Sequence, residues 1–134
     1  MARSPKQKMK LLFLLQMLTE HTDENHALTT QEIIDRLVRE DIHAERKSIY
    51  DDIRILQDFG YDIVQRSTRQ GGGYYLGGRD FELAELKLLV DAVQSSRFIT
   101  TKKSRELIKK LEHMVSRHDA GKLQRQVYEH ILVY

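Results

Sequence analysis

The chain has 134 residues, of which 40% are hydrophobic and 31% are charged, and it has no cysteine. This composition is typical of one globular domain with a modest core, or of a small domain with an appendage. The lack of cysteine excludes disulfide scaffolds and thiolate metal sites. The longest apolar run, Leu11 to Leu15, is too short to span a bilayer, and no signal-peptide core follows the basic N-terminus. We therefore expect a cytoplasmic protein with no membrane partner.

The formal net charge of +2 does not by itself indicate a nucleic-acid-binding protein. Residues 1–80 carry 12 Lys and Arg against 13 Asp and Glu, whereas residues 81–134 carry 10 against 7. Because the total charge does not favour nucleic acid, a prediction of such binding must rest on where the cations stand.

Two helix-starting signals occur early in the chain. Ser4 to Gln7 combines a serine cap, a proline at the first helical position and a glutamine that can complete a capping box, so a first helix is predicted to about Glu20. Thr29 to Glu32 is a second capping box, which predicts a helix at about 30–39. In the first helix, the residues expected to face a core are Leu11, Leu14, Leu15 and Leu18. The second capping box precedes the apolar residues Ile33, Ile34, Leu37 and Val38.

A third helix is predicted at about 45–59, although its start lacks an obvious capping residue. Ile42 is the expected inward anchor of the short connection before it, and Gly60 supplies the left-handed residue that ends it. The stripe expected to be buried consists of Ile49, Ile53 and Leu56.

After Gly60 the sequence changes to the twofold alternation of a β-strand. Three glycines at 71–73 interrupt it, and Tyr74 to Leu76 returns as a second strand, so a hairpin is predicted over about 61–77. Three helices followed by a hairpin is the order of a winged helix-turn-helix. The fold class predicted is therefore mostly α with a small β-hairpin, and the winged domain occupies residues 1–79.

The remaining sequence predicts a two-helix connector over residues 80–126. Asp80 is expected to cap a helix at about 81–95, and a further helix at about 102–118 is expected to end at Asp119 to Gly121. The apolar stripes of the two helices contain Leu83, Leu86, Leu89, Val90 and Val93, and Leu107, Ile108, Leu111, Met114 and Val115. This is more apolar surface than a lone winged domain needs, which favours a homodimer interface.

The final segment, residues 127–134, has the pattern of a β-strand without a visible partner. We expect it to be the start of a truncated C-terminal domain.

The outward face of the third predicted helix carries side chains suited to reading DNA. An α-helix fits the major groove, where Arg and Lys can pair with guanine, and hydroxyl groups can reach phosphate oxygens. The alternative is an ordinary solvated helix face, but the preceding capped helix and the following hairpin favour DNA binding. The candidate residues are Arg46 and Ser48 in the first turn, and Lys47, Tyr50, Asp51 and Arg54 opposite the buried stripe.

Three further groups are candidates for contact with the DNA backbone. They are Thr29, Thr30 and Gln31 at the start of the second helix, Arg66, Arg69 and Gln70 at the hairpin tip, and Arg3 and Lys6 in the N-terminal arm. Free N–H groups at a helix start can bind a phosphate, although capping alone explains the first group equally well. An ordinary frayed terminus is an equal alternative for the N-terminal arm.

No catalytic constellation is visible in the sequence. The glycine run lacks the Lys-Ser/Thr of a nucleotide-binding loop, and the six histidines lack metal-ligand spacing. There is no nucleophile elbow and no plausible pair of catalytic carboxylates. We therefore expect no enzymatic activity, no cofactor and no metal. The alternative from another class is a winged-helix protein-interaction module without DNA binding, which the balanced charge of residues 1–80 motivates.

Several stretches of the chain resemble one known family. They are Arg46 to Leu56 (RKSIYDDIRIL), Gly73 to Leu76, Arg79 to Leu89, Phe98 to Thr100 and Lys102 to Ser104. Together they are similar to the N-terminal region of WYL-domain transcriptional regulators, which has a DeoR-like winged helix-turn-helix and a helical connector. The resemblance covers about residues 4–126.

The resemblance implies roles for individual residues. Ser48 and Tyr50 match phosphate-contacting hydroxyl positions, and Asp52 matches a structural aspartate. Asp51 departs from the family pattern, because arginine is common at that position. There it can accept a hydrogen bond from cytosine N4 or orient Lys47 or Arg54. The resemblance also implies homodimers on palindromic operators, and a C-terminal WYL sensing domain that binds an effector.

Overall fold

The structure is a computed structural model that describes residues 5–67 and 72–133, with side chains at 6–67 and 72–127. It contains two compact units, Met1–Gly78 and Arg79–Tyr134, so the boundary lies one residue from the predicted one. Among the described helices, none is both long and apolar enough to cross a membrane. The chain is mostly helical with one two-stranded hairpin, which confirms the predicted fold class.

The first helices of Met1–Gly78 follow the capping signals of the sequence. Pro5–Lys8 (α1) is a single turn, and a break at Met9 separates it from Lys10–His21 (α2), so the first predicted helix is interrupted once. Thr30–Arg39 (α3) begins with the predicted capping box. The Thr29 hydroxyl accepts from the Glu32 N–H, and the Glu32 carboxylate accepts from the Thr29 N–H, both at 3.1 Å.

Arg46–Phe59 (α4) is the third predicted helix, and it starts one residue later than expected. Its N-cap residue, Glu45, makes no side-chain capping hydrogen bond, which agrees with the missing signal in the sequence. Gly60 ends the helix with φ +129, and its N–H donates to the Leu56 and Gln57 carbonyls. The predicted left-handed cap is confirmed.

The hairpin consists of Ile63–Arg66 (β1) and Gly73–Leu76 (β2), paired antiparallel with Ile63 opposite Leu76. The backbone of Leu28 also pairs with β2, which the sequence pattern did not predict. Its N–H donates to the Tyr74 carbonyl at 2.9 Å, and its carbonyl accepts from the Tyr74 N–H at 2.8 Å. Because Leu28 precedes α3 directly, this bridge joins the hairpin to the helices.

The core of the first unit contains most of the predicted apolar residues. Ile42 is fully buried, as predicted for the anchor of the connection before α4. On α3, Ile33 and Leu37 are fully buried, whereas Val38 is 47% exposed. The buried apolar residues are Leu14, Met17, Leu18, Leu28, Ile33, Leu37, Ile42, Ile49, Ile53, Leu56, Ile63 and Tyr74.

The second unit begins with Leu83–Ser95 (α5). Asp80 is not its cap, and the predicted start at residue 81 is two residues early. The N-cap is Glu82, whose N–H donates to the Glu85 carboxylate at 2.9 Å. This hydrogen bond satisfies a donor just ahead of the helix, which is why the helix begins after Glu82.

The single predicted helix at 102–118 is wrong, because two helices occupy this region. Thr101–Glu112 (α6) starts at the cap Thr100, whose hydroxyl accepts from the Lys103 N–H at 3.2 Å. Arg117–Val133 (α7) then starts where the Ser116 hydroxyl accepts from the Asp119 N–H at 3.2 Å. The Asp119 to Gly121 stretch, predicted to end a helix, therefore lies in the first turns of α7.

The predicted strand at 127–134 is also wrong, because α7 continues through residue 133. Helix α7 contributes the fully buried Leu123, and Val127 packs beside it, so helical burial outweighs the local strand-like pattern. The other buried core residues of this unit are Leu86, Val90, Ile108 and Val115. Leu89, which the sequence places in the same apolar stripe, is 38% exposed.

Gly73 is the position where the hairpin tolerates no side chain. It has φ +146, and an added Cβ would lie 2.3 Å from the Leu28 carbonyl oxygen. We expect Gly73→Ala to lower the free energy of unfolding of the first unit by about 2 kcal/mol or more. Gly60→Ala is the matched control, since it has positive φ but open space around it, and should cost about 1 kcal/mol. Urea unfolding measures both, and equal losses would contradict the close approach to Leu28.

Candidate nucleic-acid interface

Helix α4 has a buried side and an exposed polar side. Ile49 is fully buried, and Ile53 and Leu56 are 3% and 4% exposed, which confirms the buried stripe. Of the candidate residues on this helix, those on its exposed surface are Arg46, Lys47, Tyr50, Asp51 and Arg54. These exposed candidates comprise three cations, one carboxylate and one phenol.

The start of α3 lies beside the start of α4. The Arg46 guanidinium donates to Gln31 Oε1 at 3.3 Å, and Gln31 Nε2 donates to Asp35 Oδ1 at 2.9 Å. The Thr29 hydroxyl is occupied by the capping box, and Thr30 is buried. Of the three candidates at the start of α3, Gln31 is therefore the one whose side chain is exposed and close to α4.

Tyr74 joins the hairpin to both helices. Its side chain is 8% exposed, hydrogen bonds to Thr30 in the first turn of α3, and lies close enough to Tyr50 to interact electrostatically. Burial, with a smaller contribution from Tyr50, raises the pKa of the Tyr74 phenol above its usual value, and the Thr30 hydrogen bond partly opposes this. Tyr50 thus has one side toward solvent and one toward Tyr74.

A buried lysine contacts α4 from the opposite side. Lys10 is 9% exposed, and its ammonium lies 2.6 Å from Asp52 Oδ2 and also donates to the Ser48 hydroxyl. The Asp52 contact is an ion pair rather than a well-directed hydrogen bond. Lys10 was not predicted as a site residue, although it shares its helical spacing with the buried Leu14, Met17 and Leu18. Ser48 is consequently half-buried, unlike its neighbours Arg46 and Lys47.

Arg66 lies at the end of β1 and is held there by the loop after α2. Its guanidinium donates to the Glu24 carbonyl and lies 5.8 Å from the centre of the Tyr75 ring. Leu76, which follows Tyr75 in β2, donates its N–H to the Thr22 hydroxyl at 2.9 Å. The predicted role of Arg66 as a wing-tip contact therefore competes with a visible structural role.

The remaining candidate DNA-contacting residues lie partly outside the part of the chain that the structure describes. Arg3, Arg69 and Gln70 lie outside the described residues. Lys6 is exposed on α1, and the adjacent Gln7 side chain donates to the His43 carbonyl at 3.4 Å. The short basic turn is thereby placed beside the connection that leads into α4.

A cavity and the grouping of possible metal ligands are relevant to functions other than nucleic-acid binding. A cavity of about 230 Å³ lies between α2 and α3, with Phe13 and Met17 beside charged Glu20, Arg36 and Arg39. Within the part of the chain that the structure describes, no three His, Asp or Glu side chains are grouped to hold a metal ion.

Comparison with known proteins adds no relative. No protein-family model, no curated protein and no solved structure matches the chain.

The Tyr74 hydroxyl offers a test of how the hairpin is attached. Tyr74→Phe removes the hydrogen bond to Thr30, so we expect it to lower the free energy of unfolding by about 1 kcal/mol near neutral pH. Because burial raises the Tyr74 pKa, the unfolded chain loses this proton first as pH rises, and wild-type stability falls above the ordinary tyrosine pKa of 10.0.

The difference between wild type and Tyr74→Phe should therefore shrink on raising the pH above that value. Urea unfolding at neutral and alkaline pH measures it, and Tyr75→Phe on the neighbouring strand position is the control. A difference that stays constant with pH would contradict the raised pKa of Tyr74.

Proposed function

We propose that the protein is a transcriptional regulator that binds specific double-stranded DNA sequences, with α4 in the major groove and the β1–β2 hairpin on the backbone. The observation that carries the proposal is the exposed polar face of α4, whose first turn is joined to the start of α3 through Arg46 and Gln31. A helix that packs by one side and presents cations on the other, beside a second helix start, suits recognition of a groove and its flanking phosphates.

The role proposed for each residue follows from the exposure and the chemistry of its side chain. Lys47 and Arg54 are exposed and can pair with guanine O6 and N7 in the major groove. Arg46 and Gln31 lie at the helix starts and suit phosphate contacts. Asp51, at the centre of this face, can accept from cytosine N4 and would disfavour bases that present only acceptors there. The site needs no metal and no cofactor for this function, and we propose that the protein is not an enzyme.

The resemblance to WYL-domain regulators supports the same function and extends it. On this basis we propose a DeoR-like DNA-binding region in a cytoplasmic regulator that recognises palindromic operators as a homodimer. A WYL sensing domain would then bind the effector.

Lys47→Ala tests the proposed base contact. We expect binding to a duplex selected from a random-sequence library to weaken by about 1–3 kcal/mol, with a smaller loss on unselected duplex, because a base contact discriminates between sequences. Lys102→Ala, an exposed lysine of the second unit, is the matched control and should bind as wild type. Equal losses on both duplexes would assign Lys47 to a phosphate instead.

A second candidate function is a protein-interaction module, and one patch of α4 favours it. Phe59 is 80% exposed and stacks on Tyr61 with ring centres 5.8 Å apart, and Ile55 is 51% exposed. Salt dependence separates the two functions, since each phosphate contact contributes a slope of about −0.9 in log affinity against log salt. If no duplex is bound at low salt, the DNA-binding function is wrong.

The proposed homodimer has an exposed apolar surface available in the second unit. The predicted interface stripes are largely used within that unit, because Leu86, Val90 and Ile108 are buried in its core. Among the described side chains of this unit, the most exposed apolar ones are Leu88 on α5, at 73%, and Phe98, at 100%. We propose that these two side chains take part in the dimer.

Leu88→Glu tests this surface. We expect the variant to shift the sedimentation coefficient from dimer to monomer, because burying an unpaired carboxylate in an apolar contact is costly. Phe59→Glu, at the exposed patch of α4, is the matched control and should leave the dimer intact. A wild-type chain that sediments as a monomer at high micromolar concentration would refute dimerisation by these residues.

A further inference from the structure

We propose that Lys10 is a positioning residue for DNA recognition: through Asp52 and Ser48 it sets the rotation of α4 and the direction of the Ser48 hydroxyl. This inference rests on the proposed function. It assigns Lys10 a role without contact to DNA, although a lysine near a recognition helix would ordinarily be expected to bind phosphate.

Burial is the first reason. Lysine is rarely buried unless it is paired, yet Lys10 is 9% exposed and lies on the face of α2 that carries the fully buried Leu14 and Leu18. Its ammonium is 2.6 Å from Asp52 Oδ2, and the two side chains are 11% and 17% exposed. The charge of Lys10 is therefore directed into the protein and matched by a carboxylate of α4.

The position of its partners on α4 is the second reason. Ser48 and Asp52 are four residues apart, so they lie one above the other on a single side of the helix. That side falls between the buried stripe of Ile49 and Ile53 and the exposed face. An apolar stripe alone tolerates small rotations and slides, whereas a paired ammonium and carboxylate have a defined geometry. The ion pair can therefore select one rotation of α4 from several that bury the stripe equally well.

Hydrogen-bond chemistry is the third reason. An ammonium has only donors, so the Ser48 oxygen must accept from Lys10, and the Ser48 hydroxyl proton points elsewhere. Ser48 is half-buried in the first turn of α4, beside the exposed Lys47. With Lys10 as its donor, the Ser48 hydroxyl can itself donate to a phosphate oxygen.

The test compares three variants of the full chain. Lys10→Met removes the charge, Lys10→Met with Asp52→Asn also removes the unpaired carboxylate that could unfold the first variant, and Lys10→Arg keeps charge and donors. The probes are a duplex selected by wild type from a random-sequence library and the unselected library. For the double variant we expect the affinity for the selected duplex to fall about tenfold or more, and the affinity for the unselected library to fall less than about threefold. The slope of log affinity against log salt should stay unchanged. Lys10→Arg should recover most of the affinity.

Two binding results would overturn the proposal. Equal losses on both probes with a salt slope reduced by about 0.9 would mean that Lys10 contacts a phosphate. Wild-type affinity in a folded double variant would mean that the ion pair contributes to stability alone.

A measurement without DNA separates this proposal from the proposed function. Backbone amide NMR shifts along α4 should change in the double variant and return toward wild type in Lys10→Arg, while α5 to α7 stay unchanged. Unchanged α4 shifts refute the positioning of α4 by Lys10. If wild type enriches no duplex while these shifts do change, the DNA-binding function is wrong and the control of α4 by Lys10 stands.

Discussion

Tyr74 is the residue on which the arrangement of the first unit depends. Its backbone pairs with Leu28 on both sides, and its side chain is buried against Thr30 and next to Tyr50. The start of α3, the exposed face of α4 and the hairpin therefore meet at one side chain. A Cβ at the neighbouring Gly73 would lie 2.3 Å from the Leu28 carbonyl oxygen, so the hairpin packs closely against Leu28. This close approach helps to set the position of the hairpin relative to α4.

Charge placement, more than net charge, is what makes DNA binding physically reasonable for this chain. The first eighty residues carry slightly more acidic than basic residues, yet Arg46, Lys47 and Arg54 share one exposed face. Lys10 adds to the total charge but is neutralised internally by Asp52. Asp51 offsets part of the attraction for phosphate at the centre of the face. Such an interface would draw specificity from base contacts and geometry, because its non-specific electrostatic attraction is modest.

Most elements with strong local signals were predicted, and the start of α7 is an exception. The Thr29 capping box and the Gly60 cap define α3 and the end of α4 within a residue, because each satisfies backbone groups locally. The break between α6 and α7 was missed, although Ser116 and Asp119 carry a helix-start signal that could have revealed it. The strand expected at 127–134 is wrong because the packing of α7 through Leu123 and Val127 outweighs the weak strand preference of the residues that follow.

The sequence by itself determined the helices and hairpin of the first unit, the buried stripe of α4 and the polar face opposite it. These features depend on spacing and on capping within a few residues. Only the tertiary structure decided that Leu28 pairs with Tyr74, that Arg66 is held by the Glu24 carbonyl, and that Lys10 is buried against Ser48 and Asp52. The physical reason is that each of these contacts joins residues far apart in the chain. Local periodicity in the sequence does not indicate which distant residue a charged or hydrogen-bonding group will contact.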